Sequence, residues 1–81
     1  MPFVYIVRCA DGALYTGWTT DVERRVAQHN AGRGARYTRM HRPVILVYRE
    51  ELADRSAAMR RERAIKKLDR EHKERLVELQ C

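Results

Sequence analysis

Eighty-one residues leave room for one domain, residues 1–81, and a 44 % hydrophobic content with two prolines and four glycines excludes a disordered tail. Cys9 and Cys81 stand at opposite ends without CxxC or Cys/His metal spacing. That excludes a disulfide framework or a zinc site and points to free thiols in a reducing compartment. The net charge of +6, from 17 Lys+Arg against 11 Asp+Glu, suits a polyanionic partner better than an acidic protein or a membrane interior.

In chain order, residues 3–8 (FVYIVR) and 13–18 (ALYTGW) are rich in β-branched and aromatic types and flank Ala10-Asp11-Gly12, the pattern of a β-hairpin. The apolar run Phe3–Val7 is too short for a signal or membrane segment and Arg8 closes it, so a cytoplasmic protein is expected. The hairpin has two possible registers. A two-residue Asp-Gly turn puts Tyr5 and Tyr15 on opposite faces. A three-residue loop with Gly12 in the left-handed bulge position sets Tyr5 against Gly17 and Tyr15 against Val7, with both rings on one face.

Residues 21–31 form a predicted helix, with Thr20-Asp21-Val22-Glu23 as its capping signal and Ala31-Gly32 as its stop. Its apolar stripe runs through Val22 and Val26. At about 100° per residue, His29 lies roughly 20° from Val22 and Arg25 about 60°, while Arg24 points about 200° away into solvent. From Arg24 to Arg42 there are six arginines and two histidines with no carboxylate. Arginine forks grip phosphate and release its counterions, so this stretch favours nucleic acid over a merely solvated basic face.

Residues 32–43 (GRGARYTRMHRP) lack periodicity and read as a long basic loop, residues 44–51 (VILVYREE) as a third strand, and Arg55–Leu68 as a helix capped by Asp54. A further helical segment after Asp69 turns Leu76, Val77 and Leu79 inward. Asp69 either breaks the helix or bends its register, with a break as the expected outcome. On the first of these helices Ala58, Glu62 and Ile65 share one stripe, and a carboxylate there needs a cationic partner. The order β-β-α-β-α-α predicts an α+β fold, a three-stranded, mainly antiparallel sheet flanked by helices.

Four segments thus bring polar side chains toward the interior: Tyr5 and Tyr15 on the sheet, Arg25 and His29 on one helix, Glu62 on another. Each has a plain structural reading, as core tyrosine, snorkelling arginine, isolated histidine or glutamate paired with Arg61, Lys66 or Arg25. Together they supply what phosphodiester hydrolysis needs: a carboxylate for a hard cation, a positive group for the phosphorane charge, and a group that handles water.

The ordered set of Val4-Tyr5-Ile6, the hairpin, Tyr15-Thr16-Gly17, Arg24–Asn30 (RRVAQHN) and the later Arg61-Glu62-Arg63 resembles the core of the GIY-YIG nuclease superfamily over residues 3–68. Arg36-Tyr37-Thr38 and Leu46–Glu50 are similar to its small stand-alone bacterial members. The resemblance implies a Mg²⁺- or Mn²⁺-dependent endonuclease acting on single-stranded, nicked or branched DNA, with repair or recombination as its setting. It implies that Tyr5 and Tyr15 line the site and handle the attacking water. Arg25 would stabilise the scissile phosphate, and His29 would bond a tyrosine or move a proton. Glu62 would be the sole protein ligand of a single ion. Both tyrosines must then converge, which selects the three-residue loop. A tyrosine of ordinary pKa, about 10, is a poor base at neutral pH and needs Arg25 or a metal-bound network to lower it.

This sequence departs from the family pattern at Phe3-Val4-Tyr5 and at Thr16, keeping both tyrosines, and residues 69–81 lack the late asparagine of many members. With no DNA-reading domain attached, substrate choice falls to the basic loop, through Arg33, Arg36, Tyr37, Thr38 and Arg39, or to a partner protein. Tyr37 and Thr38 could contact base and phosphate or simply anchor the loop. Tyr48 is expected in the core, Trp18 as hairpin-end packing or a base-stacking platform, and His41 and His72 at the surface. DNA is favoured over RNA, and the competing reading is a binding module that kept the fold and lost catalysis.

Overall fold

Two runs of β-formers joined by a tight turn start the fold. The computed structural model describes residues 1–34 and 36–80; Cys81 and its expected free thiol lie outside them. Strand β1 (Phe3–Arg8) pairs antiparallel with β2 (Leu14–Thr19) in the register that sets Tyr5 opposite Gly17 and Val7 opposite Tyr15. The loop is the three-residue form. The N–H of Cys9 donates to Ala13 O at 2.8 Å, the N–H of Gly12 to Cys9 O at 2.9 Å, and Gly12 carries φ +88°. Only a residue without a Cβ takes that conformation cheaply.

Strand β3 (Ile45–Glu51) adds antiparallel to the other side of β1, so the sheet order is β2-β1-β3 and β1 is central. That explains why Val4 to Val7 are all buried: both faces of the strand are covered. Ile6 faces Tyr48 while Val7 faces Leu46, which leaves Val47 as an extra residue in β3. Residues two apart on a strand normally share a face. Across this bulge they do not: Tyr48 packs in one half of the core and Leu46 in the other.

Helix α1 (Val22–Asn30) is capped by Asp21, whose carboxylate accepts from the Arg24 N–H at 3.1 Å. It covers the face holding Tyr5, Val7 and Cys9, with Val22 buried against them. Cys9 is a free, buried thiol whose pKa burial pushes up. Helix α3 (Arg55–Lys66), capped by Asp54, covers the opposite face with Ala58 and Ile65 against Val4 and Ile6. Asp69 does break the helix: it accepts from the His72 N–H at 2.9 Å, and α4 (Arg70–Gln80) starts afresh. Arg8 grips Glu74 of α4 through two bonds of 3.0 and 2.6 Å, and Gln80 brackets the backbone of Arg49 on edge strand β3.

The predicted α+β fold and element order hold, with two local corrections. Leu79 does not turn inward; it is 79 % exposed, because burying Val77 rotates a residue two positions on by about 200°. Residues 32–43 are not wholly loop, since Arg36–Met40 forms a short helix, α2. Five residues, four of them polar, carry no readable period, and α2 is held by tertiary bonds: Tyr37 Oη to Asp11 at 2.8 Å, Ala10 N–H to His41 O at 2.9 Å, and the buried Thr38. No helix among the described residues is long and apolar enough to cross a membrane.

A Cβ added at Gly12 would meet nothing closer than Arg70 at 3.8 Å, so its cost is conformational rather than steric. Gly12→Ala is expected to destabilise the domain by about 1–2 kcal/mol, lowering Tm by roughly 4–8 °C per kcal/mol in a thermal melt. An unchanged Tm would show that the turn does not hold the register.

Candidate active site

The hairpin register decides where the tyrosines point. Tyr5 is 1 % exposed and Tyr15 half-buried, and both rings lie on the α1 side of the sheet. Gly17 makes room for the first of them. A Cβ at Gly17 would sit 2.6 Å from Tyr5 Oη and 2.8 Å from its Cζ, so the phenol lies directly across the glycine.

Helix α1 brings His29 beneath both rings. Its imidazole is fully buried, with Nε2 at 2.8 Å from Tyr5 Oη and Nδ1 at 2.7 Å from Thr38 Oγ1. It meets Tyr15 edge-on with ring centroids 5.5 Å apart and Tyr5 at 5.8 Å. Burial holds the His29 pKa below its ordinary value, and the nearby Arg25 charge adds to the effect. A neutral imidazole donates at one nitrogen and accepts at the other, so Thr38, His29 and Tyr5 form a chain of hydrogen bonds.

Burial pushes the Tyr5 pKa up, and although Arg25 pulls against it, desolvation is the larger effect; Tyr15 and Glu62 add to the rise. A tyrosine base would need Arg25 or a metal-bound network to lower its pKa, and at Tyr5 the pull of Arg25 is downward but is outweighed by burial. Tyr5 is a neutral phenol.

Arg25 borders the buried stripe as its helical angle predicts, half-buried, with Nη1 donating to Gln28 Oε1 at 3.2 Å, whereas Arg24 is exposed. Glu62 sits on helix α3, which covers the opposite face of the sheet, and its charge adds to the rise of the Tyr5 pKa. β2 is an edge strand, and a cleft lined by Trp18, Arg25 and Arg55 spans β2, α1 and α3 at that edge. Of the five candidate site residues, Arg25 is the one that lines this cleft. The Glu62 side chain is 20 % exposed, and its ion pair to Lys66 Nζ is long, 3.7 Å.

No group of three His, Cys, Asp or Glu among the described residues could enclose a metal ion. One partly open carboxylate nevertheless fits Mg²⁺ or Mn²⁺ bound largely through water and substrate phosphate, because Mg²⁺ sheds water reluctantly and commonly takes only one or two protein carboxylates.

The residues expected to hold nucleic acid divide. Arg33, Arg36 and Arg39 are exposed, with no carboxylate partner among the described residues. Thr38 is fully buried against His29, so it braces the imidazole instead of meeting phosphate. Tyr37 bonds Asp11 and stacks on His41 with centroids 4.1 Å apart, which makes it an anchor of α2. Trp18 is partly buried against the α3 side of the core, and Tyr48 is core as expected.

Two contributors were not singled out in advance. A Cβ at Gly34 would fall 2.0 Å from His29 Nδ1, so only glycine fits beside the ring. Asn30 pairs both ways with the Val44 backbone, at 2.7 and 3.1 Å, and ties the end of α1 to the approach of β3. The one sequence-level signal for either was a glycine and an asparagine beside the helix stop.

Residues 1–75 match the family model described as the GIY-YIG catalytic domain. A UPF0213 protein of Staphylococcus haemolyticus is 55 % identical over 76 residues, covering 94 % of this chain and 93 % of that protein. A UPF0213 protein of Natronomonas pharaonis is 60 % identical over 75 residues, covering 93 % and 88 %. Among solved structures, the solution NMR structure of a UPF0213 protein from Bacillus halodurans aligns with TM-score 0.63 at 48 % identity, covering 98 % of this chain and 85 % of that one.

Because the folded His29 refuses a proton that the unfolded chain accepts below pH 6.5, stability is fully present above that pH and falls as the pH drops beneath it. Thermal melts between pH 7.5 and about 5, above the ordinary carboxylate range, should show Tm falling with acidity, and His29→Gln should flatten the slope. An equal slope in the variant would remove His29 from this account. Gly34→Ala should displace the imidazole and lower Tm, and an unshifted His29 ring resonance in its NMR spectrum would contradict the fit.

Proposed function

The chain belongs to the GIY-YIG family, a family of nucleases, and on that premise we propose that it is a Mg²⁺-dependent endonuclease hydrolysing phosphodiester bonds in single-stranded, nicked or branched DNA. DNA repair or recombination is the setting such substrates suggest. One observation carries the reading. Tyr5 and Tyr15 share the α1 face of the sheet over the buried His29, whose Nε2 lies 2.8 Å from Tyr5 Oη, and the same helix carries Arg25 at the border of its buried stripe.

In this reading Arg25 donates to the scissile phosphate oxygens, where negative charge builds in the transition state. Tyr15, the less buried of the pair, orients the attacking water. Tyr5 does not ionise alone, since burial keeps its pKa high. A proton accepted at its Oη is instead balanced by passing the phenol's own proton to His29 Nε2, 2.8 Å away, with Nδ1–H held on Thr38. The incoming phosphate offsets the repulsion between Arg25 and the imidazolium so formed. Glu62 would hold the divalent ion, which when bound supplies Lewis-acid stabilisation of phosphate charge. The exposed Arg33, Arg36 and Arg39 extend the phosphate-binding surface beyond the site.

A second reading, a binding module with little turnover, is supported by the single carboxylate donor at the site. It differs in one respect: salt-sensitive DNA binding without products.

Purified protein is expected to cut branched or single-stranded DNA with Mg²⁺ and to stop in EDTA, with RNA of the same sequence as the comparison. Glu62→Gln and Arg25→Gln should each lower kcat by about 100-fold or more while circular dichroism stays unchanged. Variants that cut as fast as wild type would sink the assignment, and DNA binding with no products under any divalent ion would favour the second reading.

A further inference from the structure

Beside the candidate active site lies a cleft of about 440 Å³, lined among others by Trp18, Asp21, Arg24, Arg25, Gln28 and Arg55. We propose that this cleft is a subsite for the nucleotide adjoining the scissile phosphate, with its base against Trp18 and its phosphate on Arg24 and Arg55. The proposal rests on the nuclease reading and adds to it a place and three further residues.

Continuity is the first argument. Arg25 belongs both to the cleft and to the group around Tyr5, so a strand whose phosphate meets Arg25 must run into or alongside the cleft. Helix geometry gives the second. Arg55 and Glu62 are seven residues apart on α3, which places them about 20° apart around the helix and about 10 Å along it. A ligand bound at Glu62 therefore has Arg55 on the same side of the helix.

Charge and shape give the third. Three guanidinium groups line the cleft against one carboxylate, and that carboxylate, Asp21, is engaged in capping the Arg24 N–H. Gln28 is engaged by Arg25, while Arg24 and Arg55 are exposed with no carboxylate partner among the described residues. The volume falls within the range that encloses small ligands. Trp18 is held in place by the core on one side and is partly exposed, so it offers a fixed aromatic surface, on which any base can stack. Stacking there requires a base free of its duplex partner, so the subsite selects single-stranded character.

Trp18 is the single tryptophan of the chain, so its fluorescence reports on the cleft without any mutation. Short oligothymidylate added in EDTA, where no strand is cut, is expected to quench Trp18 saturably. Arg55→Gln should weaken binding about tenfold at low salt and reduce the slope of log K against log salt by about 0.7. In the cleavage assay the same variant should raise KM and leave kcat near wild type. Binding or cleavage with a silent Trp18 and an unaltered Arg55→Gln would overturn the subsite and leave the nuclease reading intact. Quenching that Arg55→Gln weakens, without products under any divalent ion, would sustain the subsite and overturn the nuclease reading.

Discussion

The buried imidazole of His29 is the interaction on which the rest of the site depends. One side chain of α1 bonds the centre of β1 through Tyr5 and the short α2 through Thr38, and it fills the space under Tyr15. Both of its nitrogens are partnered away from bulk water, so the ring can be neither moved nor charged without cost. In a domain of 81 residues, with little core to spare, that single group fixes three elements relative to one another. The same arrangement keeps the phenol neutral and in place, which is what a proton relay requires and what a free tyrosinate would not provide.

In the proposed function, α1 and α3, which cover opposite faces of the sheet, would meet one substrate at an edge strand. β2 is such a strand, thinned at Gly17 where the Tyr5 ring crosses. Cation and carboxylate are thereby kept apart in the absence of substrate: Arg25 is engaged by Gln28 and Glu62 by Lys66 at long range, with no ion pair formed between them. In the proposed mechanism these two opposite charges, left unneutralised by each other, would meet a phosphate and a divalent ion. Arg24 and Arg55 line the cleft at this edge, and Arg33, Arg36 and Arg39 are likewise exposed.

Local chemistry was readable in advance wherever one residue's preference dominates. Gly12 takes a left-handed position that either hairpin loop allows, and the three-residue loop the structure adopts puts Tyr5 opposite Gly17 and both tyrosines on one face. Asp21 and Asp54 marked helix starts because a short carboxylate satisfies free N–H groups, and the 100° step placed His29 inside, Arg25 at the border and Arg24 outside. Thr38, Tyr37 and Gly34 carried no such signal. A threonine in a basic, aperiodic stretch looks like a phosphate ligand until the helix that buries it is seen, and the close fit of Gly34 to His29 exists only once the chain has folded back.

The sequence by itself determined the order of the main elements, the helix caps and the inward placement of His29, because caps and periodicity act over a few neighbouring residues. It left two hairpin registers open, and the structure decided between them. Only the tertiary structure decided that α1 and α3 cover opposite faces, that the β3 bulge sends Leu46 and Tyr48 into different halves of the core, and that Thr38 braces His29. It also decided the ionisation of Tyr5, where desolvation outweighs Arg25. Those outcomes depend on which distant surfaces meet and how much water they exclude, quantities that no local pattern of residues encodes.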